Sequence, residues 1–231
     1  MKLRNTLLAG ALALAAMPTL VSAAAGGEII KNQCVSCHAV TKPEAGGIDR
    51  LLTRKGPDLH YAGVKFNKDW LTAWLQNPTT LRPGGVLYAH VVKPVPGGPD
   101  TIDASLVQPH LKLNAEDAAA VAEVLMSYGV DDDLVEKGAF KQAPPNAMAA
   151  LLFNKLRGCA SCHSGKPGAG GMSGPELYTA GARLQPDYVV EYIRNPQKFD
   201  PHVWMPKLDL NEADVQKLAG YLLTLKTGGA K

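Results

Sequence analysis

The sequence contains few cysteines, has a small net charge and has few long apolar runs. Its 231 residues include only four cysteines, and all of them fall in two copies of one short pattern. The 24 basic and 21 acidic side chains give a formal charge of +3 without a basic run, which argues against a nucleic-acid-binding protein. Beyond the N-terminus no stretch approaches 18 consecutive apolar residues, so the mature chain is expected to have no transmembrane segment.

The N-terminus has the layout of a secretory signal peptide. A basic start, MKLR, precedes the apolar run TLLAGALALAAMPTL and the small residues VSAAAGG. We predict a signal peptide over residues 1–24, cleaved near Ala23 or Ala25, and export to the periplasm. An uncleaved membrane anchor is the alternative, but Pro18 interrupts a run that is already short. Loss of Lys2 and Arg4 would lower the formal charge from +3 to +1.

The cysteine pattern is C-x-x-C-H, which occurs as CVSCH at residues 34–38 and as CASCH at residues 159–163. It is the attachment signature of c-type haem, in which both thiols form thioethers to the porphyrin and the next histidine binds the iron. The pattern therefore predicts two covalently bound haem c groups. The candidate attachment residues are Cys34, Cys37, Cys159 and Cys162, and the candidate iron ligands beside them are His38 and His163.

Other interpretations of the cysteines explain less. In an exported protein four cysteines would ordinarily form two disulfides, but that leaves both adjacent histidines unexplained. A thioredoxin-like redox pair would need a βαβ pattern around it, and none is visible. A zinc site made from both pairs would have to close over the 121 residues (38–158) that separate Cys37 from Cys159.

Three stretches of the first half recur in the second half. GPDL corresponds to GPEL, FNKDWLTAWLQNP to LQPDYVVEYIRNP, and QPHLKLNAEDAAAVAEVL to MPKLDLNEADVQKLAGYL. In the second pair Trp70 and Trp74 align with Tyr188 and Tyr192, and both segments end in Asn-Pro. The sequence therefore predicts a tandem duplication with diverged loops.

The repeated stretches predict helices. Asn114 and Asn211 are expected N-cap residues, and apolar residues follow each at helical spacing. Pro186 suits a first helical turn, and the Asn-Pro pairs favour helix ends at Asn77 and Asn195. No strand alternation is evident, so the expected fold class is all-α.

The order of these elements resembles the class I cytochrome c fold, and two copies after a signal peptide resemble dihaem cytochromes such as cytochrome c4. The resemblance covers nearly all of the mature chain. It implies a first cytochrome c domain over residues 25–130, with an insertion at about 86–107. It also implies a charged, proline-containing linker over 131–146 and a second domain over 147–231.

The second axial ligand of each iron is expected to differ between the halves. Met205 precedes Pro206 just ahead of the last helix, as in the Met-Pro loop of the family, and predicts His163/Met205 ligation. The first half has Gln108 in that register and no methionine between Met17 and Met126. Histidine is therefore the expected ligand there.

Three histidines are candidates for this position in the first half. His110 lies two residues past the expected position, and His90 lies within the insertion; we place His110 slightly ahead and leave both open. His60 directly follows GPDL and is interpreted as structural. A lysine ligand or an open site is the remaining alternative.

These features predict a soluble electron carrier that works between a redox donor and an acceptor protein, with the first haem at lower potential than the second. Two other hypotheses stay open. An open first haem would suit a dihaem enzyme, with thiosulfate dehydrogenases as the precedent. Alternatively, the chain is the cytochrome subunit of a larger dehydrogenase. No further catalytic constellation favours the enzyme.

Overall fold

A computed structural model of the chain describes residues 17–44, 47–79, 85–98, 100–141 and 147–226. Most of the predicted signal peptide, residues 1–16, lies outside these ranges, as do residues 142–146 of the predicted linker and the last five residues of the chain. Helices dominate the described residues. None of those helices is long and apolar enough to cross a membrane.

The described residues of the first half form five α-helices joined by loops. They are α1 Met17–Ile29, α2 Ile48–Thr53, α3 Ala62–Lys65, α4 Lys68–Gln76 and α5 Ala115–Leu125. The π-helical turn Ile30–Cys34 extends α1. The 3-10 turns Tyr88–His90 and Ala104–Leu106 lie in the predicted insertion.

The second half repeats this order with shorter loops. Its α-helices are α6 Ala147–Leu151, α7 Cys159–Cys162, α8 Ala180–Arg183, α9 Pro186–Arg194 and α10 Glu212–Thr224. The π-helical turn Leu152–Leu156 extends α6, and the 3-10 turn Pro196–Lys198 follows α9. Helices α4 and α9 end just before Asn77 and Asn195, so the predicted helix ends are confirmed.

No strand was predicted from the sequence, but the described residues include two small antiparallel ribbons. In the first half β1 Val92–Lys93 pairs with β2 Thr101–Ile102, and in the second β3 Ser164–Lys166 pairs with β4 Ala169–Gly170. Strands of two or three residues are too short to produce a recognisable alternation. The turn of the second ribbon is Pro167-Gly168, and Gly168 has φ +72°, which glycine adopts readily.

The last helix of each half buries the apolar face that its sequence predicts. Every residue predicted on these two faces is no more than 6 % exposed: Ala118, Val121, Ala122 and Leu125 in α5, and Val215, Leu218, Ala219 and Leu222 in α10. Burial of such stripes against neighbouring helices supplies most of the stability of short helices.

Both predicted N-caps are also present. Asn114 Oδ1 accepts a hydrogen bond from the backbone N–H of Asp117, and Asn211 Oδ1 accepts one from that of Asp214, each at 2.9 Å. Each bond satisfies a donor that has no partner within the helix.

Helices α1 and α5 cross at a glycine. A Cβ atom on Gly26 would lie 2.2 Å from the backbone oxygen of Ala120, so only glycine allows this separation of the two helices. The crossing fixes the helix that leads into the first C-x-x-C-H pattern against the last helix of the same half.

The two halves meet through a reciprocal set of backbone contacts. Phe66 and Leu184 form an antiparallel bridge. The residue after each donates its side-chain amide across the junction, Asn67 Nδ2 to Ala182 O at 2.8 Å and Gln185 Nε2 to Gly63 O at 2.7 Å. The backbone hydrogen bonds across the junction are Asn67 N to Arg183 O and Gln185 N to Lys65 O, each 2.9 Å. Aligned residues of the two halves therefore make matching contacts.

Aromatic rings and an ion pair fill the same junction. The ring of Tyr61 lies 6.2 Å from that of Tyr188 and 5.4 Å from that of Phe199, centroid to centroid. Arg54 Nη1 lies 2.7 Å from Asp200 Oδ2, and both side chains are 12 % exposed. The rings of Tyr61, Tyr188 and Phe199 are buried, and the ion pair is partly buried.

The described part of the connector, residues 131–141, packs on the second half. Leu134 and Ala139 are buried, and the side chain of Asp187 accepts hydrogen bonds from the backbone N–H groups of Gly138 and Phe140, both at 2.8 Å. This part of the connector therefore lies against α9.

Candidate functional site

Each C-x-x-C-H pattern follows a helix whose last turn is π-helical. The turn Ile30–Cys34 reaches the first cysteine, and the turn Leu152–Leu156 ends three residues before Cys159. Single π turns within helices often mark functional sites, since the extra residue per turn redirects the side chains that follow. The sequence analysis did not predict these turns.

All four cysteines are free thiols. Cys34 and Cys159 are partly buried, whereas Cys37 and Cys162 are exposed. Burial raises the pKa of the Cys34 and Cys159 thiols, and the neighbouring Cys37 and Cys162 raise it further. Within the described ranges no three His, Cys, Asp or Glu side chains form a metal-binding cluster.

The histidine of each pattern is oriented by a proline carbonyl. His38 Nδ1 lies 2.8 Å from the backbone oxygen of Pro57, and His163 Nδ1 lies 2.7 Å from that of Pro175. Because a carbonyl can only accept, Nδ1 of each ring carries the proton, and Nε2 is the nitrogen suited to a metal. Such a bond also fixes the ring and raises its basicity as a ligand.

The glycine before each proline leaves room for the imidazole. A Cβ atom on Gly56 would lie 2.7 Å from His38 Cε1, and one on Gly174 would lie 2.5 Å from His163 Cε1. The repeated Gly-Pro pair thus has two roles, since its glycine receives the ring and its proline accepts the hydrogen bond.

A third contact recurs next to the histidines. The backbone N–H of Leu59 donates to Ala39 O, and that of Leu177 donates to Ser164 O, each at 2.8 Å. In both halves the residue after the histidine thus accepts from the leucine of the Gly-Pro-acid-Leu segment. The loop is thereby held beside the imidazole.

His110 lies next to the histidine of the first pattern. The ring centroids of His38 and His110 are 6.1 Å apart, with an angle of 53° between the ring planes. His110 Nδ1 lies 2.9 Å from Leu111 O, so its proton is on Nδ1 as well. Burial lowers the pKa of His38, and the nearby His110 lowers it further. Both effects favour the neutral imidazole that a metal requires.

The other candidates of the first half lie elsewhere. His90 is exposed at the end of the turn Tyr88–His90, and its ring is not among the ring neighbours of His38 in the described residues. Gln108 is exposed. His60 is buried and packs edge-on against Tyr61 with 4.8 Å between centroids, which agrees with a structural role.

Met205 lies on the loop between the turn Pro196–Lys198 and helix α10. Its side chain is partly buried, and its backbone oxygen accepts a hydrogen bond from Gln197 Nε2 at 2.8 Å. The neighbouring Trp204 is 70 % exposed. The role of Met205 as an iron ligand stays a prediction.

The residues at both patterns have the features that haem c requires. Each offers two free thiols on one short segment and a histidine whose Nδ1 is engaged by a carbonyl. The spacing of His38 and His110 also fits a shared metal. A metal that both imidazoles bonded at about 2 Å would fit between rings whose centres lie about 6 Å apart. When bound, haem supplies an iron that takes up and gives up one electron.

The comparisons with known proteins agree with this chemistry for the second half. Residues 145–222 match the model of a protein family described as cytochrome c oxidase, cbb3-type, subunit III. Searches of curated proteins and of solved structures gave no match. The matched segment contains the second C-x-x-C-H pattern, Pro175 and Met205. The chain therefore carries a c-type cytochrome domain, a kind of domain that binds haem c covalently and transfers electrons.

Proposed function

We propose that the chain is an exported dihaem c-type cytochrome that carries electrons between a donor dehydrogenase and an acceptor protein. The observation that supports two haems rather than one is that the C-x-x-C-H histidines of both halves have the same surroundings. In both halves the imidazole after C-x-x-C bonds a proline carbonyl and packs on a glycine. Residues 34–38 would hold the first haem and residues 159–163 the second.

The first haem is proposed to have His38 and His110 as axial ligands, because the centroids of the two rings lie 6.1 Å apart. The second is proposed to have His163 and Met205. Thioether sulfur favours ferrous iron more than imidazole does, so the second haem would have the higher reduction potential. Electrons would then pass from the first haem to the second.

The halves are joined in a way that suits transfer between two haems. Backbone and side-chain hydrogen bonds run in both directions between Asn67 and Gln185 and the opposite half. Buried rings and the Arg54–Asp200 ion pair add to them. A fixed junction would keep the separation of the irons constant, which a stable rate of internal electron transfer requires.

Mass spectrometry of the purified mature protein tests the number of haems and the export. The expected mass is that of the polypeptide without its first 23 to 25 residues plus two haem groups. As a matched pair, Cys162→Ala and Cys37→Ala each disrupt one attachment site. A mass that corresponds to one haem in the parent protein, or a loss caused by only one of the two variants, would disprove the dihaem assignment.

Spectroscopy of ligand variants tests the ligation. His110→Ala should convert the ferric first haem from low-spin to high-spin in electron paramagnetic resonance, whereas the exposed control His90→Ala should leave it low-spin. Met205→Ala should remove the weak red absorption band of sulfur ligation. A parent protein with a high-spin haem that binds carbon monoxide when reduced would instead favour the enzyme hypothesis.

A further inference from the structure

We propose that Trp74 positions the His110 imidazole for the first iron, an inference that rests on the ligation proposed above. The indole of Trp74 meets the ring of His110 edge-on, with 4.7 Å between centroids and 61° between planes. Aromatic pairs prefer this geometry, and it restrains the orientation of both rings. His110 in turn lies beside His38, with 6.1 Å between the ring centroids.

Trp74 is itself held firmly. It lies on α4, which is anchored by the buried side chains of Leu71 and Leu75. Its Nε1–H donates to the backbone oxygen of Thr79 at 3.3 Å, and its ring stacks on that of Trp70 at 5.9 Å with an interplanar angle of 25°. The indole is therefore a fixed surface, set by the helix rather than by the loop that carries the ligand.

The loop that carries His110 has few restraints of its own. Residues 107–114 have no regular secondary structure, and Leu111 and Lys112 beside the histidine are exposed. A backbone hydrogen bond ties the loop to α4, from Leu113 N to Leu75 O at 3.0 Å. Ordering a side chain on such a loop costs conformational entropy, which contact with a rigid ring offsets.

In the second half, the residue that aligns with Trp74 makes different contacts. Tyr192 aligns with Trp74, and its ring packs at 5.1 Å from Phe199 and 5.4 Å from Tyr188, within the junction. At this aligned position, the aromatic ring therefore contacts a candidate ligand in the first half, where the candidate ligand is a histidine.

The test measures how easily an added ligand replaces His110. Cyanide binding to the ferric first haem should tighten about tenfold in Trp74→Ala, the upper range for loss of one aromatic pair. Trp74→Phe should give a smaller change. Trp70→Phe is the graded comparison, since it keeps an aromatic ring beside Trp74, and it should change the affinity less than Trp74→Ala does. The second haem of the same molecule serves as an internal reference.

Electron paramagnetic resonance separates this proposal from the ligation that it assumes. The low-spin signal of the first haem should broaden or shift in Trp74→Ala and disappear in His110→Ala.

If His110→Ala leaves that signal intact, the ligation is wrong. If His110→Ala removes it but both Trp74 variants match the parent protein, the positioning role is wrong. An equal effect of Trp70→Phe would attribute the change to helix packing and also overturn it. If Trp74→Ala yields no holoprotein, Trp74→Phe and Trp74→Leu decide.

Discussion

Replacing Gly174 with alanine tests the close contact between the Gly-Pro segment and the histidine of the second pattern. The added Cβ atom would lie 2.5 Å from His163 Cε1 and 2.6 Å from His163 Nδ1. The ring must therefore move away and loosen its 2.7 Å hydrogen bond to Pro175. Overpacking of this kind costs about 1–3 kcal/mol, and a lost hydrogen bond costs about 0.5–1.5 kcal/mol. We expect the free energy of unfolding to fall by about 2–4 kcal/mol.

Urea unfolding of the holoprotein, followed by the absorption of the second haem, measures this loss. At an m-value of about 2 kcal/mol per M the midpoint should fall by about 1–2 M. The reduction potential of the second haem should rise, because an imidazole without its carbonyl partner is a weaker donor.

Gly220→Ala is the matched control for this measurement. An added Cβ would meet nothing within 4 Å there, and alanine in the interior of α10 should stabilise by about 0.5–1 kcal/mol. If Gly174→Ala unfolds within about 0.5 kcal/mol of the parent protein and keeps its potential, the ring does not pack on this glycine.

Three further predictions concern the junction, a helix cap and a buried amine. Removing both junction amides, Asn67→Ala with Gln185→Ala, should cost about 1–3 kcal/mol and split urea unfolding into two transitions; a single unchanged transition would contradict it. Asn211→Ala should cost about 1 kcal/mol by thermal unfolding, whereas the exposed Asn154→Ala should cost less. Burial lowers the pKa of Lys65 to about 8, so between that pH and its ordinary value the unfolded chain binds a proton that the folded chain does not. The free energy of unfolding should therefore rise with pH there, by up to about 1.4 kcal/mol per unit, and a Lys65→Met variant with an unchanged slope would refute this.

The features that the sequence predicted correctly depend on residues close together in the chain. The N-caps at Asn114 and Asn211 involve an amide only three residues later. The buried faces of α5 and α10 follow from the spacing of apolar residues along one helix. Such features need no knowledge of the rest of the fold, and each occurs in both halves.

The features that the sequence did not predict depend on distant partners or on very short elements. His38 forms a hydrogen bond to a carbonyl 19 residues away. A Gly-Pro pair in the sequence does not indicate which side chain its carbonyl will contact. The repetition of the pair in both halves was the available signal. The contact between Trp74 and His110 joins α4 to a loop beyond the insertion, so its existence depends on tertiary packing.

The two halves agree in the surroundings of the C-x-x-C-H histidines and differ in the candidate second ligand. Behind each histidine the glycine, the proline carbonyl and the leucine amide recur with nearly the same distances. Beside His38 the first half has His110, which packs against Trp74, whereas under the proposed ligation the second half would use Met205. A covalently attached haem in each half would impose a fixed geometry on the attachment side, which would tolerate little change. The sixth ligand, by contrast, can be exchanged by altering one loop and the ring beside it. Under the proposed ligation, that exchange is sufficient to give two haems in one chain different potentials.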